Sequence, residues 1–372
     1  MEESLKKRRH ALRAALRKEP TAGPPEVRIL EARVASLFGA GEAVLWEKLR
    51  LQTPQPEGAF NLLVARPVQC MKTPAVVLMH PTGKCKEFMA DTMERWARKG
   101  LLTIAFDAPY HGERALPEAG LKDLSLSSLG PSQLKEIGST ESGRLKVYFD
   151  ALVKGYRSGN ERFVLDISRD ALWVMDYLCF RPDVVHERIG AMGVSLGGMA
   201  CWLLAAADER VFSAAPAIGV QSFHHSLVND LWQARVDSIL PAFETAKTDM
   251  GKSKIDQEVV KAVWAQIAPG LAEADPSRED AFDAPLTLPC IAPRYLLVVN
   301  AEKDPRCPLE GVRLCLAAAE EAYRQLASGD ERLVVYIQQD VKHAMTAKMW
   351  ERVDSFLFAT LGSTNKRKLS QL

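Results

Sequence analysis

Along the chain, short apolar runs alternate with longer stretches in which apolar residues recur every three or four positions. The run "PAVVLMH" (Pro74 to His80) is apolar almost without a break and bounded by turn residues, the pattern of a strand buried on both faces. "LLTIAFD" (101–107), "RIGAMGV" (188–194), "VFSAAPAIGV" (211–220), "RYLLVVNAE" (294–302) and "RLVVYIQQD" (332–340) also read as strands. "VLWEKLRL" (44–51) and "AFNLLVARP" (59–67) read as a neighbouring pair. Helical periods separate them: Glu87 to Arg98, stopped by Gly100; "DISRDALWVMDYLCF" (166–180); 196–208; Pro308 to Leu326; and a closing helix from Met345 to Leu361. This alternation predicts an α/β fold, with eight strands in a doubly wound, mostly parallel sheet and helices on both faces. Two more helices are expected ahead of the sheet, at about 4–18 and 25–38.

Two stretches break the rhythm. From about Ala115 to Glu161 the chain is polar and turn-rich before it becomes helical. From about Gln221 to Pro289 it carries helical periods ("LVNDLWQARVDSIL", "IDQEVVKAVWAQIAPGL") where a sheet needs only a short connection. Both leave from the carboxyl end of a strand, where doubly wound sheets open their ligand crevice. The organisation expected is an N-terminal helical extension (1–43), a main domain (44–361) with a helical cap inserted at 221–289, and a C-terminal tail (362–372).

Composition removes several classes. Lys plus Arg (48) balances Asp plus Glu (47), so nothing points to nucleic acid or an anionic membrane surface. No apolar run approaches the roughly 18 residues that span a bilayer, so no stable membrane insertion is expected. The seven cysteines form no C-x-x-C pair and fit reduced core thiols. The start, "MEESLKKRRHALRAALRKEP", lacks the apolar core of a secretion signal; Leu5, Leu12 and Leu16 would line one face of a solvated or loosely docked basic helix. The cytosol is the expected compartment. The closing "SQL" differs from the peroxisomal S-K-L address by Gln371. The pattern specifies no oligomeric state.

Candidate chemistry centres on "RIGAMGVSLGGMA" (188–200). Gly193-Val194-Ser195-Leu196-Gly197 follows one predicted strand directly and opens a predicted helix. That is the context a nucleophile elbow requires, since the serine sits in a tight turn at the carboxyl edge of the sheet with the helix start beneath it. A glycine-rich turn without chemistry is the plainer reading of the same residues. A nucleophilic Ser195 needs a base oriented by an acid, in the chain order Ser, Asp or Glu, His. His343, in "QQDVKHAMT", follows the last predicted strand, and Asp304, in "VVNAEKDPRCP", follows the one before it. Glu302 and Asp340 are rivals for the acid; His10, His186, His224 and His225 lie on less suitable segments. For an oxyanion, the Leu196 amide is one candidate donor. A second should come from the "HPTG" turn at 80–83, where Pro81 has no N–H and Thr82 is the next amide. In "FDAPYHGER" (106–114), His111 and Arg114 are read as braces of their loop. Tyr110, together with Phe223 and Trp232 of the cap, is a candidate for substrate contact.

The motifs "MHPTGKCKEFM", "FDAPYHGER", "RPDVVHERIGAMGVSLGG", "NAEKDPRCP" and "VKHAMT" together resemble the α/β-hydrolase superfamily, and within it the dienelactone hydrolase, acetyl xylan esterase and prolyl oligopeptidase branch. The resemblance spans roughly 44–361. It implies the α/β-hydrolase fold, triad roles for Ser195, Asp304 and His343, and oxyanion amides at Leu196 and the residue after "HP". Pro81 stands where many members carry glycine, and a simple dienelactone hydrolase would have a cysteine nucleophile and no such cap. The expected activity is a serine hydrolase acting on a small-molecule carboxylic ester or thioester through an acyl-enzyme, with no metal or organic cofactor required. A serine peptidase of the prolyl oligopeptidase type and a non-catalytic binding protein are the alternatives.

Overall fold

The computed structural model describes residues 1–17, 23, 25–37, 41–53, 58–69, 72–115, 141–326 and 332–362, with 141–144 as backbone only. The C-terminal "SQL" and most of the first insertion lie outside the described residues. Among the described residues nine strands form one sheet: β1 (Glu26–Ala35), β2 (Val44–Gln52), β3 (Phe60–Pro67), β4 (Thr73–Met79), β5 (Leu102–Phe106), β6 (Val184–Val194), β7 (Val211–Ala217), β8 (Tyr295–Ala301) and β9 (Leu333–Gln338). Their order is β1-β2-β3-β5-β4-β6-β7-β8-β9. The strands from β1 to β5 in that order pair antiparallel, and from β5 through β9 the pairing is parallel.

The eight expected strands are β2 to β9. The ninth, β1, is built from the segment read above as a second N-terminal helix. Its apolar residues Val27, Ile29, Leu30 and Val34 fit a helical stripe as well as a strand. The open edge of β2 decides the matter: β1 pairs along it from Glu26–Gln52 to Ala35–Val44, with a bulge between Ile29 and Glu31. A distant hydrogen-bonding edge has overridden a local periodicity.

The first helix, α1 (Glu2–Leu16), is present and firmly docked. Leu12 and Leu16 are buried on its apolar face. Arg9 pairs with Glu209, Arg13 with Asp208 at 3.2 Å, and Arg17 with Asp176 at 2.6 Å, while the Arg17 guanidinium lies 3.8 Å from the Trp173 ring centroid. The basic face that suggested solvation is matched by acidic groups on the body.

Helices cover both faces. The apolar core on one side includes residues of α1, α4 (Phe163–Phe180) and α5 (Leu196–Ala207). On the other side it includes α2 (Ala90–Arg98) and the closing helix Ala347–Leu361. Helix α3 (Glu141–Ser158) ends the first insertion. The second insertion forms α6 (Phe223–Val228), α7 (Gln233–Asp237), α8 (Leu240–Asp249), α9 (Gln257–Ile267) and α10 (Ala284–Thr287), with α8 and α9 packed on α3. Its own core centres on Trp264, whose ring lies 5.1 Å from Phe223, 5.4 Å from Phe243 and 6.1 Å from Phe163. Asp283 ties the two ends of the insertion together. Its carboxylate accepts from the Ser222 hydroxyl (2.5 Å) and from the amides of Phe223 (2.8 Å), Ala284 (3.0 Å) and His224 (3.3 Å). Among the described residues no helix is long and apolar enough to cross a membrane.

Candidate active site

Ser195 stands between β6 and α5 with φ 55° and ψ −108°, a left-handed backbone that a serine adopts only when its surroundings enforce it. Two hydrogen bonds hold the turn: the Ser195 amide donates to the Ala217 carbonyl of β7, and the Met199 amide donates to the Ser195 carbonyl, both at 2.9 Å. Close backbone approach explains the flanking glycines. A Cβ at Gly193 would lie 2.0 Å from the Gly197 carbonyl oxygen, and one at Gly197 would lie 2.1 Å from that of Met79. The start of α5 is thus pressed against the end of β4.

The chain then brings two distant residues to this serine. Ser195 Oγ lies 2.7 Å from His343 Nε2, and His343 Nδ1 lies 2.7 Å from Asp304 Oδ2. His343 sits in the turn after β9, ahead of a closing helix capped by Thr346. Asp304 sits in the turn after β8, where its other oxygen accepts the amides of Arg306 (2.8 Å) and Cys307 (3.3 Å). The rivals are engaged elsewhere: Glu302 accepts the Asp340 amide at 2.9 Å, and Asp340 pairs with Lys303 at 2.5 Å.

Electrostatics suit a proton relay. Burial pushes the Asp304 carboxyl up, but the His343 hydrogen bond and charge and the Arg306 amide outweigh it and hold it below the ordinary carboxylate value. Burial lowers His343 below its ordinary 6.5; Asp304 opposes this, while Arg235 and Arg306 reinforce it. The imidazole is therefore neutral near pH 7, with Nδ1–H donated to Asp304 and the Nε2 lone pair facing the Ser195 hydroxyl.

The "HPTG" turn is held from below. Buried His80 accepts the Ala108 amide on Nε2 and donates from Nδ1 to the Pro81 carbonyl, both at 2.9 Å. Burial keeps this ring neutral by lowering its pKa. Six residues past His80, fully buried Lys86 anchors the segment: Nζ reaches Glu87 (2.7 Å), Asp107 (2.8 Å) and Glu113 (3.0 Å), and its amide donates to Asp107 at 2.8 Å. The braces expected in "FDAPYHGER" are in place. Arg114 pairs with Asp170 at 2.5 Å and donates to the Asp107 carbonyl at 3.1 Å, and His111 Nδ1 donates to the Pro109 carbonyl at 2.9 Å. Sequence reasoning missed His80, Lys86 and Asp107; three charged residues so close to a predicted strand end, "KCKE", were the available signal.

Other expected contacts fall in different surroundings. Phe223 is buried against Trp264 in the insertion's core. Trp232 is half-buried, with its indole N–H on Asp230 at 3.2 Å. Tyr110, at φ 64°, lines a small cavity with Tyr148, Glu161, Phe163 and Ile167. Arg235 of α7 went unnoticed in the sequence. It is buried and reaches the turn after Asp304, donating from Nη2 to the Arg306 carbonyl at 3.1 Å. Metal-type ligands cluster twice among the described residues, at Asp304–Cys307–His343 and at Cys85–Glu87–Asp107. In the first, the carboxylate and imidazole bind each other; in the second, the Lys86 ammonium contacts both carboxylates.

This strand order, with an elbow serine after β6 and an acid and a histidine after β8 and β9, defines an α/β-hydrolase fold. Residues 60–236 of the chain match the Dienelactone hydrolase family. The chain is 39% identical over 59 residues to the putative hydrolase YtaP of Bacillus subtilis, covering 16% of this chain and 19% of that one. It is 30% identical over 168 residues to the uncharacterized protein YcjY of Escherichia coli, covering 44% and 40%. The chain thus spans less than half the length of the curated relatives it matches. Solved structures share the fold over nearly the whole chain. Acetyl xylan esterase 1 from Thermoanaerobacterium sp. superposes with a TM-score of 0.61 at 16% identity, covering 97% of this chain and 94% of that one. A glucuronoyl esterase from Solibacter usitatus gives 0.58 at 16% identity, covering 95% and 92%.

Proposed function

We propose that the protein is a serine esterase acting on small-molecule carboxylic esters or thioesters through an acyl-enzyme. The observation that carries this reading is the unbroken row Ser195 Oγ, His343, Asp304, with 2.7 Å at each link and a strained serine at one end. The Dienelactone hydrolase family match and the esterases among the structural neighbours support the same reaction class. Neutral His343 takes the Ser195 proton as Oγ attacks the ester carbonyl. Asp304 fixes the imidazole tautomer and stabilises the imidazolium that forms. The developing oxyanion is held by the amides of Leu196, in a helix start whose first N–H groups have no intrahelical acceptor, and Thr82. His343 returns its proton to the leaving oxygen or sulfur, then activates the water that releases the acid. Substrate contact falls to the Tyr110 loop and the 221–289 cap, with Trp232 as a contacting side chain and Phe223 supporting the cap from its core.

The row of hydrogen bonds favours an active enzyme over a binding protein that has lost catalysis. The test is fluorophosphonate labelling together with turnover of p-nitrophenyl esters, acyl thioesters and anilides. Wild type should label at Ser195 and hydrolyse the esters or thioesters in preference to the anilides. Ser195→Ala and His343→Ala should each lose turnover by about 10⁴-fold, with the double variant little worse. Ser195→Ala retaining a tenth of wild-type turnover would refute the assignment.

A further inference from the structure

Strand β1 closes the antiparallel end of the sheet, and among the described residues its outer edge pairs with no other strand. The edge is long, at ten residues, and apolar where it meets solvent: Ile29 is 62% exposed, Leu30 42% and Val34 55%. Exposed edges of this kind template further strand pairing unless they are blocked. The charges on β1 specify the partner.

Its sequence, "EVRILEARVA", places Glu26, Arg28, Glu31 and Arg33 in alternating sign. Opposite them on β2 stand Gln52, Arg50, Lys48 and Trp46, which are alternate residues of one strand, so all four charged residues share a face of the sheet. Without the bulge between Ile29 and Glu31 the first two would face away from the last two. A second copy of β1, related by a twofold axis perpendicular to the sheet, can pair antiparallel with the first. Paired residues must share a face, and across the bulge that demands position numbers with an odd sum. The register centred between Ile29 and Leu30 sets Glu26 opposite Arg33 and Arg28 opposite Glu31, each twice. A shift of two one way sets Glu26 against Glu31; the other way, Arg28 against Arg33. One register is complementary and its neighbours are repulsive.

We propose that the chain forms a twofold dimer by pairing β1 with β1 in this register, so that one continuous sheet runs through both copies. The bulge makes the charge pattern self-complementary, and the centre of the contact buries Ile29 against Leu30 of the other copy. The surface lies at the opposite end of the sheet from β8 and β9, whose following turns carry Asp304 and His343. Catalysis is therefore not its readout.

The experiment is sedimentation velocity on the full chain over a concentration series, comparing wild type with charge-reversed variants and their mixtures. Arg28→Glu sets two carboxylates against each other at both central pairs, and Glu31→Arg sets two cations together there, so each alone should weaken dimerisation about tenfold or more. An equimolar mixture of the two variants restores opposite charges at both central pairs and should return to wild-type affinity as a heterodimer. Glu26→Arg and Arg33→Glu, alone and mixed, test the outer pairs in the same way. Thermal melts within a few degrees of wild type establish that each variant is folded, and a mixture that dimerises establishes it independently. The proposal falls if the wild-type chain stays monomeric throughout the series, if either central variant dimerises as wild type does, or if the mixture stays monomeric.

Discussion

Gly197→Ala is the sharpest test of how the elbow and the proposed oxyanion turn are joined. The added Cβ would lie 2.1 Å from the Met79 carbonyl oxygen, 2.5 Å from its carbon and 2.8 Å from the His80 carbonyl oxygen. Real Cβ atoms keep at least 3.0 Å, and both obstacles are backbone that no side-chain rotation can clear. The end of β4 or the start of α5 must then move by about 0.9 Å, in a core already packed to crystal-like density. Overpacking of this kind costs about 1–3 kcal/mol. Thr82 lies only three residues past Met79, so the displacement separates its amide from that of Leu196. A misplacement near 1 Å lowers turnover by about 10²-fold. Because the loss falls on the proposed oxyanion contacts, kcat should drop far more than KM rises. The assay is steady-state hydrolysis of the best p-nitrophenyl ester, with a thermal melt on the same sample. A variant with kcat within threefold of wild type and an unchanged Tm would refute the reasoning.

The proposed base, His343, must be neutral to act and is held below 6.5, so the acid limb of kcat/KM should have its midpoint below pH 6.5. Arg235→Met removes a positive charge that helps hold it there; the limb should move to higher pH, and an unmoved limb would exclude that electrostatic role. Lys86→Met leaves Asp107, Glu87 and Glu113 buried without their shared ammonium and should destabilise the fold by about 3–5 kcal/mol, read by denaturant unfolding. Asp107 and Glu113 titrate below their ordinary values in the native protein, so their contribution is present above those values and is lost as pH falls through the native ones. In the variant the unpaired carboxylates bind protons more tightly when folded, so its deficit should shrink from about pH 8 to about pH 5; a deficit that is flat in pH would contradict this.

The elbow was legible in the sequence because its determinants are local: a strand, two glycines and a helix within a dozen residues. His343 and Asp304 were legible as strand-end residues, since parallel strands deliver their following turns to one edge. The choice of Asp304 over Glu302 was open, because two residues in one turn differ in direction only through its hydrogen bonds. The structure turns Glu302 toward the Asp340 amide and Asp304 toward His343. β1 was misread because its apolar positions satisfy two periods and a distant edge chose between them. Lys86 and Asp107 were invisible for another reason: they are 21 residues apart, on turns after neighbouring strands, and charged residues read as surface until their partners are known.

Asp283 has a meaning beyond the bonds it accepts. By fixing residues 222 to 224 beside 283 and 284, it closes a long excursion on a very short chord. Everything between is attached to the sheet as a ring is attached to a clasp. Chain added within such a closed excursion raises the closure entropy only by about 0.6 kcal/mol per doubling of its length. Helices of the insertion other than α7, whose Arg235 reaches the Arg306 carbonyl, can thus be lengthened, shortened or replaced while β7 and β8 keep their pairing. One buried carboxylate separates chain that can vary from the sheet that must not, with Arg235 as a point where the two still touch.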